Sequence, residues 1–179
     1  LRLLKLKGYN IYITYSTKTE IQKIEEIDCI GIKIHPLKGK LNFRNIILLH
    51  KAIRKYNIKI NYCLTSSGIA NATIASFFRS VKTIAYRGTQ AKIRIADPTY
   101  YLGILNPKVN YIICETPDIK ENLRKFYSNE KLILNPKPYK TEWVKPAFLN
   151  PRKIKGIPDE AFVVACIAKT KNRPFKGLS

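Results

Sequence analysis

Apolar residues run along this chain in two alternating rhythms. In dense short runs they favour β-branched and aromatic types, and each run predicts a buried strand: Tyr9–Tyr15, Cys29–Ile34, Lys59–Leu64, Thr83–Tyr86, Val109–Glu115, Lys131–Leu134 and Phe162–Ala168. Between them apolar positions recur every three or four residues, predicting helices over Thr19–Ile27, Phe43–Tyr56 and Ile69–Arg79, and from Thr116-Pro117 to Tyr127. The clearest is Phe43–Tyr56. Ile46, Leu49, Ile53 and Tyr56 form one stripe, Arg44, Lys51, Arg54 and Lys55 lie off it, and Asn42 is placed as N-cap. Thr116 offers an N-cap and Pro117 suits the first helical position, with Ile119, Leu123 and Phe126 expected inside. Leu1–Lys7 reads as the last turns of a helix closed by Gly8, so the chain is expected to open in mid-unit, its first strand missing. Arg87–Lys108 is the longest irregular stretch, a length that in compact domains usually serves function.

The stretch Asn61–Thr89 organises the rest. The strand Lys59–Leu64 stops at Thr65-Ser66-Ser67-Gly68, where small hydroxyl residues supply caps for a helix whose Ala70, Ala72, Ala75 and Ser76 leave one face smooth. The next strand, Thr83–Tyr86, ends in Arg87-Gly88-Thr89. Two parallel strands with a crossover helix bring both following loops to one carboxyl edge, where open α/β sheets bind ligands. Alternation of strands and helices predicts an α/β protein with a Rossmann-like, mostly parallel sheet and helices on both faces. The expected division is a first domain over 1–134, a linker over 135–160 in which prolines recur with little periodicity, and the truncated start of a second β/α domain over 161–179.

Charge changes the picture most. A formal net charge of +21 points to an anionic partner, although lysine is also the ordinary solvated surface residue in so Ile-, Lys- and Asn-rich a sequence. A basic nucleic-acid-binding module is the rival reading. Against it, no helix-turn-helix, zinc finger or RNP-type aromatic pattern appears, and the cations are spread over every element. Neither G-x-G-x-x-G nor a P-loop is present. Cys29, Cys63, Cys114 and Cys166 are far apart and read as core hydrophobes, and no metal site is expected. His35 and His50 have no partner motif. No apolar stretch approaches the roughly 20 residues that span a bilayer.

Several of these residues carry a resemblance. The small-residue helix after Thr65-Ser66, the loop Tyr86-Arg87-Gly88-Thr89, Asn106-Pro107-Lys108-Val109 leading to Ile112-Ile113-Cys114, and above all R-P-x-K-G at Arg173–Gly177 after a strand resemble family 4 retaining glycosyltransferases. The resemblance covers nearly the whole chain and implies the N-terminal half of a GT-B fold, with acceptor on the first domain and nucleotide-sugar donor mainly on the second. It departs from the family pattern in four respects: the Gly-rich loop of the first strand is missing, no E-x7-E motif is reached, Arg87 stands where many members place a His, and Thr65-Ser66 stands where relatives often show His or acidic residues. A fragment inactive by itself is the implied outcome.

The resemblance also implies roles. Transfer from a nucleotide-sugar leaves negative charge on a departing diphosphate, which fixed cations stabilise. Arg173 and Lys176 fit that task, with Lys169 a further candidate. Arg87, Gly88 and Thr89, together with Thr65 and Ser66, are the acceptor-binding candidates. Arg87 could equally stack on Tyr86, and Thr65 and Ser66 could serve only as caps. No cofactor or metal is expected beyond the nucleotide-sugar substrate. The expected partners are that donor, a glycan or lipid-linked acceptor and an anionic membrane surface, with no specific nucleic acid. The expected location is the cytoplasm, peripheral to the inner face of a membrane, with Phe43–Tyr56 and Arg87–Tyr101 as contact surfaces.

Overall fold

The structure, a computed structural model, describes residues 1–37, 39–90 and 92–137, with 156 and 158. The chain divides into two units, Leu1–Lys137 and Pro138–Ser179, and every element described belongs to the first. The expected strand Phe162–Ala168, most of the expected linker, and Lys169, Arg173 and Lys176 lie outside the described residues.

The order of elements is α1 (Arg2–Leu6), β1 (Tyr12–Tyr15), α2 (Lys18–Glu25), β2 (Ile30–Lys33), α3 (Phe43–Lys55), β3 (Ile60–Cys63), α4 (Ser66–Ala75), β4 (Lys82–Arg87), α5 (Thr99–Leu102), β5 (Val109–Cys114), α6 (Pro117–Leu123), a 3-10 turn at Asn129–Lys131, and β6 (Leu132–Leu134). Local chemistry sets most boundaries. Thr17 caps α2 in a reciprocal box with Glu20, Asn42 caps α3, Thr65 caps α4, and Thr116 caps α6 with Pro117 in its first turn. Three helices end by one device. Gly8, Asp28 and Asn57 adopt positive φ, and the next N–H reaches back five residues, from Tyr9 to Leu4, Cys29 to Ile24 and Ile58 to Ile53.

All the described strand pairs are parallel, but they form two sheets: β1 with β2, and β3-β4-β5-β6 in that order. The two-stranded sheet has helices on both faces. Ile21 of α2 packs on Gly31, while Tyr12 on the opposite face stacks on Tyr56 at the end of α3, ring centroids 4.7 Å apart. In the four-stranded sheet one pleat face carries Cys63, Ala85, Ile112, Cys114 and Leu132, which are buried with Ile69 and Ala72 of α4 and Ile119 and Leu123 of α6. Burying each of its isoleucines and leucines contributes about 1.5–3 kcal/mol, so this cluster is the main source of stability. On the opposite face Ile60, Tyr62, Leu64 and Ile133 remain exposed.

Two buried asparagines fasten the segment between β2 and α3. Asn45 accepts from the His35 N–H and donates to its carbonyl, both at 2.8 Å. Asn71 of α4 accepts from the Asn42 N–H at 2.9 Å and donates to the Lys40 carbonyl at 3.0 Å and the Ser67 carbonyl at 2.7 Å. His50 joins α3 to the end of α4 through Nδ1 and the Ala75 carbonyl, 2.9 Å apart.

Candidate functional site

Because the strands are parallel, β3, β4 and β5 deliver the loops that follow them to one edge, the place where such sheets bind ligands. Arg87 is the last residue of β4 and pairs in register with Cys114 at the end of β5. Alternation along β4 puts Arg87 on the side of buried Ala85, under α4 and α5, and Tyr86 on the other. Two groups of side chains therefore share the edge.

On the α4 side, Thr65 Oγ1 accepts from the Gly68 N–H at 3.0 Å and so caps α4, which leaves its O–H as a donor. Ser66 Oγ accepts from Lys40 Nζ at 2.7 Å. Lys40 also lies over the Tyr100 ring, 5.8 Å from its centroid. Gly103 is buried against Ser66, whose Oγ would have to turn aside to admit a Cβ, so the loop after β4 closes directly onto the start of α4. Burial lowers the Arg87 pKa from its ordinary value, with the Tyr100 phenol acting in the opposite direction. Guanidinium stays charged across the range of interest, leaving a half-buried fixed cation. Asp97 is held low first by its hydrogen bonds with Thr99, then by Lys40 and Arg94.

On the other side Glu115 directly follows β5. Tyr86 Oη donates to Glu115 Oε2 at 2.7 Å, and Lys137 Nζ approaches Oε1 at 3.1 Å. The Tyr86 hydrogen bond, then Lys137, hold the Glu115 carboxyl below its usual range. The same bond raises Tyr86. A Cβ on Gly88 would stand 2.5 Å from Glu115 Oε2 and 3.0 Å from the Tyr86 ring, so the absence of a side chain there is what lets Tyr86 and Glu115 meet. Thr89 is exposed just beyond, and Gln90 donates to Asp118 Oδ2 at 2.9 Å, tethering the loop to α6.

Solved structures share this architecture. A glycosyltransferase from Rickettsia africae ESF-5 superposes with a TM-score of 0.65 at 18% identity, over 84% of this chain and 40% of that one. UDP-GlcNAc 2-epimerase from Methanocaldococcus jannaschii superposes with a TM-score of 0.51 at 16% identity, over 74% of this chain and 40% of that one. The likeness is one of fold. This chain has the Rossmann-like α/β, GT-B-like fold, and it spans about 40% of the length of each neighbour. No protein-family profile matches the sequence, and no curated protein matches it.

The structure brings Arg87, Gly88, Thr65 and Ser66 to one edge, with Thr89 exposed beside them. It adds residues that sequence reading passed over: Lys40, Gly103, and the Tyr86–Glu115–Lys137 group. Lys40 was legible only as a cation shortly before the Asn42 cap. Nothing in the sequence pairs Glu115 with Tyr86. Among the described residues no three His, Cys, Asp or Glu side chains gather closely enough to hold a metal ion, and no helix is long and apolar enough to cross a membrane. Burial pushes the Cys63 thiol up to about 12 and raises Cys114 as well.

Proposed function

We propose that this chain is the acceptor-binding part of a retaining, family 4-like glycosyltransferase that moves a sugar from a nucleotide-sugar to a lipid-linked or polysaccharide acceptor at the inner face of a membrane. The observation that carries the reading is the pair of basic side chains, Lys40 and Arg87, held at the carboxyl edge of a GT-B-like parallel sheet. An acceptor phosphate placed between them would also meet the start of α4, whose dipole favours negative charge. Ser66 would hydrogen-bond an acceptor hydroxyl once Lys40 turns to the anion. Glu115, kept ionised by Tyr86 and Lys137, would accept from sugar hydroxyls on the opposite side of the edge. On this reading the departing diphosphate is stabilised by Arg173, Lys176 and Lys169, and residues 1–137 alone carry no transfer.

Calorimetry with a glycosyl phosphate tests the acceptor half. Arg87→Ala and Lys40→Ala should each weaken binding about tenfold, the loss of one charge-assisted contact. Lys55→Ala, on the solvated face of α3, should leave it unchanged. Equal affinity for all four proteins, or no binding to any, would remove the acceptor assignment.

A further inference from the structure

The outward surface of α3 and the end of α4 combines two properties rarely exposed together. Between Asp28 and Asp97 the sequence contains no Asp or Glu and thirteen Lys or Arg. On that stretch Phe43 is 75% exposed, Ile47 55%, Phe77 55% and Phe78 89%. Phe43 and Ile47 are one turn apart on the side of α3 opposite its buried Asn45, Ala52 and Ile53. Most of α4 is buried, but Ile74 is exposed, and Phe77 and Phe78 follow in the next turn, ring centroids 5.0 Å apart and edge to face. The bond from His50 to the Ala75 carbonyl and that from Asn42 to Asn71 lock the two helices side by side, so the outward side of α3 continues onto the end of α4, with Phe77 turned towards Lys108. Around them Arg44, Lys51, Arg54, Lys55, Arg79 and Lys82 are all exposed. Lys108 lies on the Phe77 ring, 5.1 Å from its centroid.

We infer that this surface docks on an anionic lipid bilayer, with α3 lying in the interface plane. The cations are complementary to acidic headgroups, and no carboxylate on the stretch opposes them. Phenyl and aliphatic side chains gain from entering the acyl boundary. A nucleic acid would match the charge, but Ile47 and Ile74 gain nothing from base stacking, so a bilayer accounts for both properties. The Phe43 end of α3 follows closely on Lys40, whose Nζ reaches Ser66 at the carboxyl edge, so a docked α3 holds that edge near the bilayer. This deepens the membrane partner named above, yet it stands whether or not sugar transfer does, because vesicle binding needs no donor or acceptor.

The test is co-sedimentation of the full 179-residue chain with vesicles of phosphatidylcholine, alone or with one-third phosphatidylglycerol, at about 0.05 M and about 0.5 M salt. Binding should require phosphatidylglycerol and fall at high salt. A cation near such a surface contributes about fivefold, so Lys51→Glu with Arg54→Glu should weaken binding at least tenfold. Lys125→Glu with Lys131→Glu changes net charge equally but sits beyond the far, β6 side of the sheet, and should cost less than about threefold at the same salt. Phe78→Ser should weaken binding several-fold at both salt concentrations. Equal losses in the two double variants would show that only net charge matters and overturn the inference. So would equal binding to neutral vesicles, or complete displacement by homopolymeric RNA with Phe78→Ser behaving as wild type.

Discussion

Replacing Asn71 by alanine should unfasten the segment that carries Lys40 and lower stability measurably. Asn71 is 1% exposed, and its amide makes three hydrogen bonds, to Asn42 N, Lys40 O and Ser67 O. The Ser67 carbonyl is four residues back in the same helix, where the backbone ladder already uses it. Truncation therefore orphans two groups, the Asn42 N–H and the Lys40 carbonyl. A buried group left unpaired costs about 1–3 kcal/mol, and partial access of water to Lys40 and Asn42 favours the lower half of that range. The sum is about 2–4 kcal/mol, or a Tm decrease of about 6–20 °C for a unit of this size. Thermal unfolding followed by circular dichroism measures it. Asn71→Asp sharpens the test. Its carboxylate would still accept from Asn42 but would face two carbonyl oxygens, so its folded pKa must rise above the ordinary value of about 3.9. A raised group stabilises below its unfolded pKa and loses that contribution as pH rises through the folded one. The Asp variant should therefore be destabilised at neutral pH and recover towards about pH 4. A loss below about 0.5 kcal/mol for Asn71→Ala, or an Asp deficit that does not shrink on acidification, would refute the reasoning.

Gly88→Ala should displace Glu115 and separate it from Tyr86, returning the Glu115 carboxyl towards its ordinary range in an NMR titration while the core stays folded. Tyr86→Phe should do the same by deleting the donor. In the wild type the depressed Glu115 pKa means that its stabilising contribution is present above the unfolded value and disappears as pH falls through the folded one. Gly103→Ala should turn the Ser66 hydroxyl aside and part it from Lys40, a loss of about 0.5–1.5 kcal/mol by urea unfolding for one hydrogen bond. Cys63, with its thiol pushed up to about 12, and Cys114 should remain unmodified under brief alkylation near pH 8 in a peptide map of the native protein, with modification of both only after unfolding.

Features that depend on a few neighbouring residues were legible in the sequence. Gly8 closing a helix, Asn42 starting one, and Thr116-Pro117 opening another are local chemistry, and the structure has all three. Boundaries drifted where local signals compete. The helix expected over Ile69–Arg79 runs from Ser66 to Ala75, because Thr65, the first of several hydroxyl residues, takes the cap. Its expected end at Arg79 over-reached: the helix stops at Ala75, and Phe77 and Phe78 lie exposed in the turn beyond. The helix after Thr116 stops at Leu123, with Phe126 and Tyr127 packing from the turn beyond. A short α5 interrupts the stretch expected to be irregular. Long-range partnerships left no local trace: nothing in the order of residues announces that Asn71 holds Lys40 across 31 positions, or that Tyr86 meets Glu115 across 29. Division of the strands into two sheets was equally invisible, since periodicity reports burial and not which edges pair.

That division has a dynamic consequence. Among the described residues no strand pair joins β1–β2 to β3–β6, and the segment up to β2 contributes a single buried aliphatic side chain, Ile24. The larger sheet, by contrast, rests on the main core cluster. Sub-global opening follows buried contact, so the β1–α2–β2 unit should behave as a separate foldon that opens without disturbing its neighbour. Native-state deuterium exchange should fill the amides of Tyr12–Tyr15 and Ile30–Lys33 together and early, while Ile84 and Ile112 wait for global unfolding.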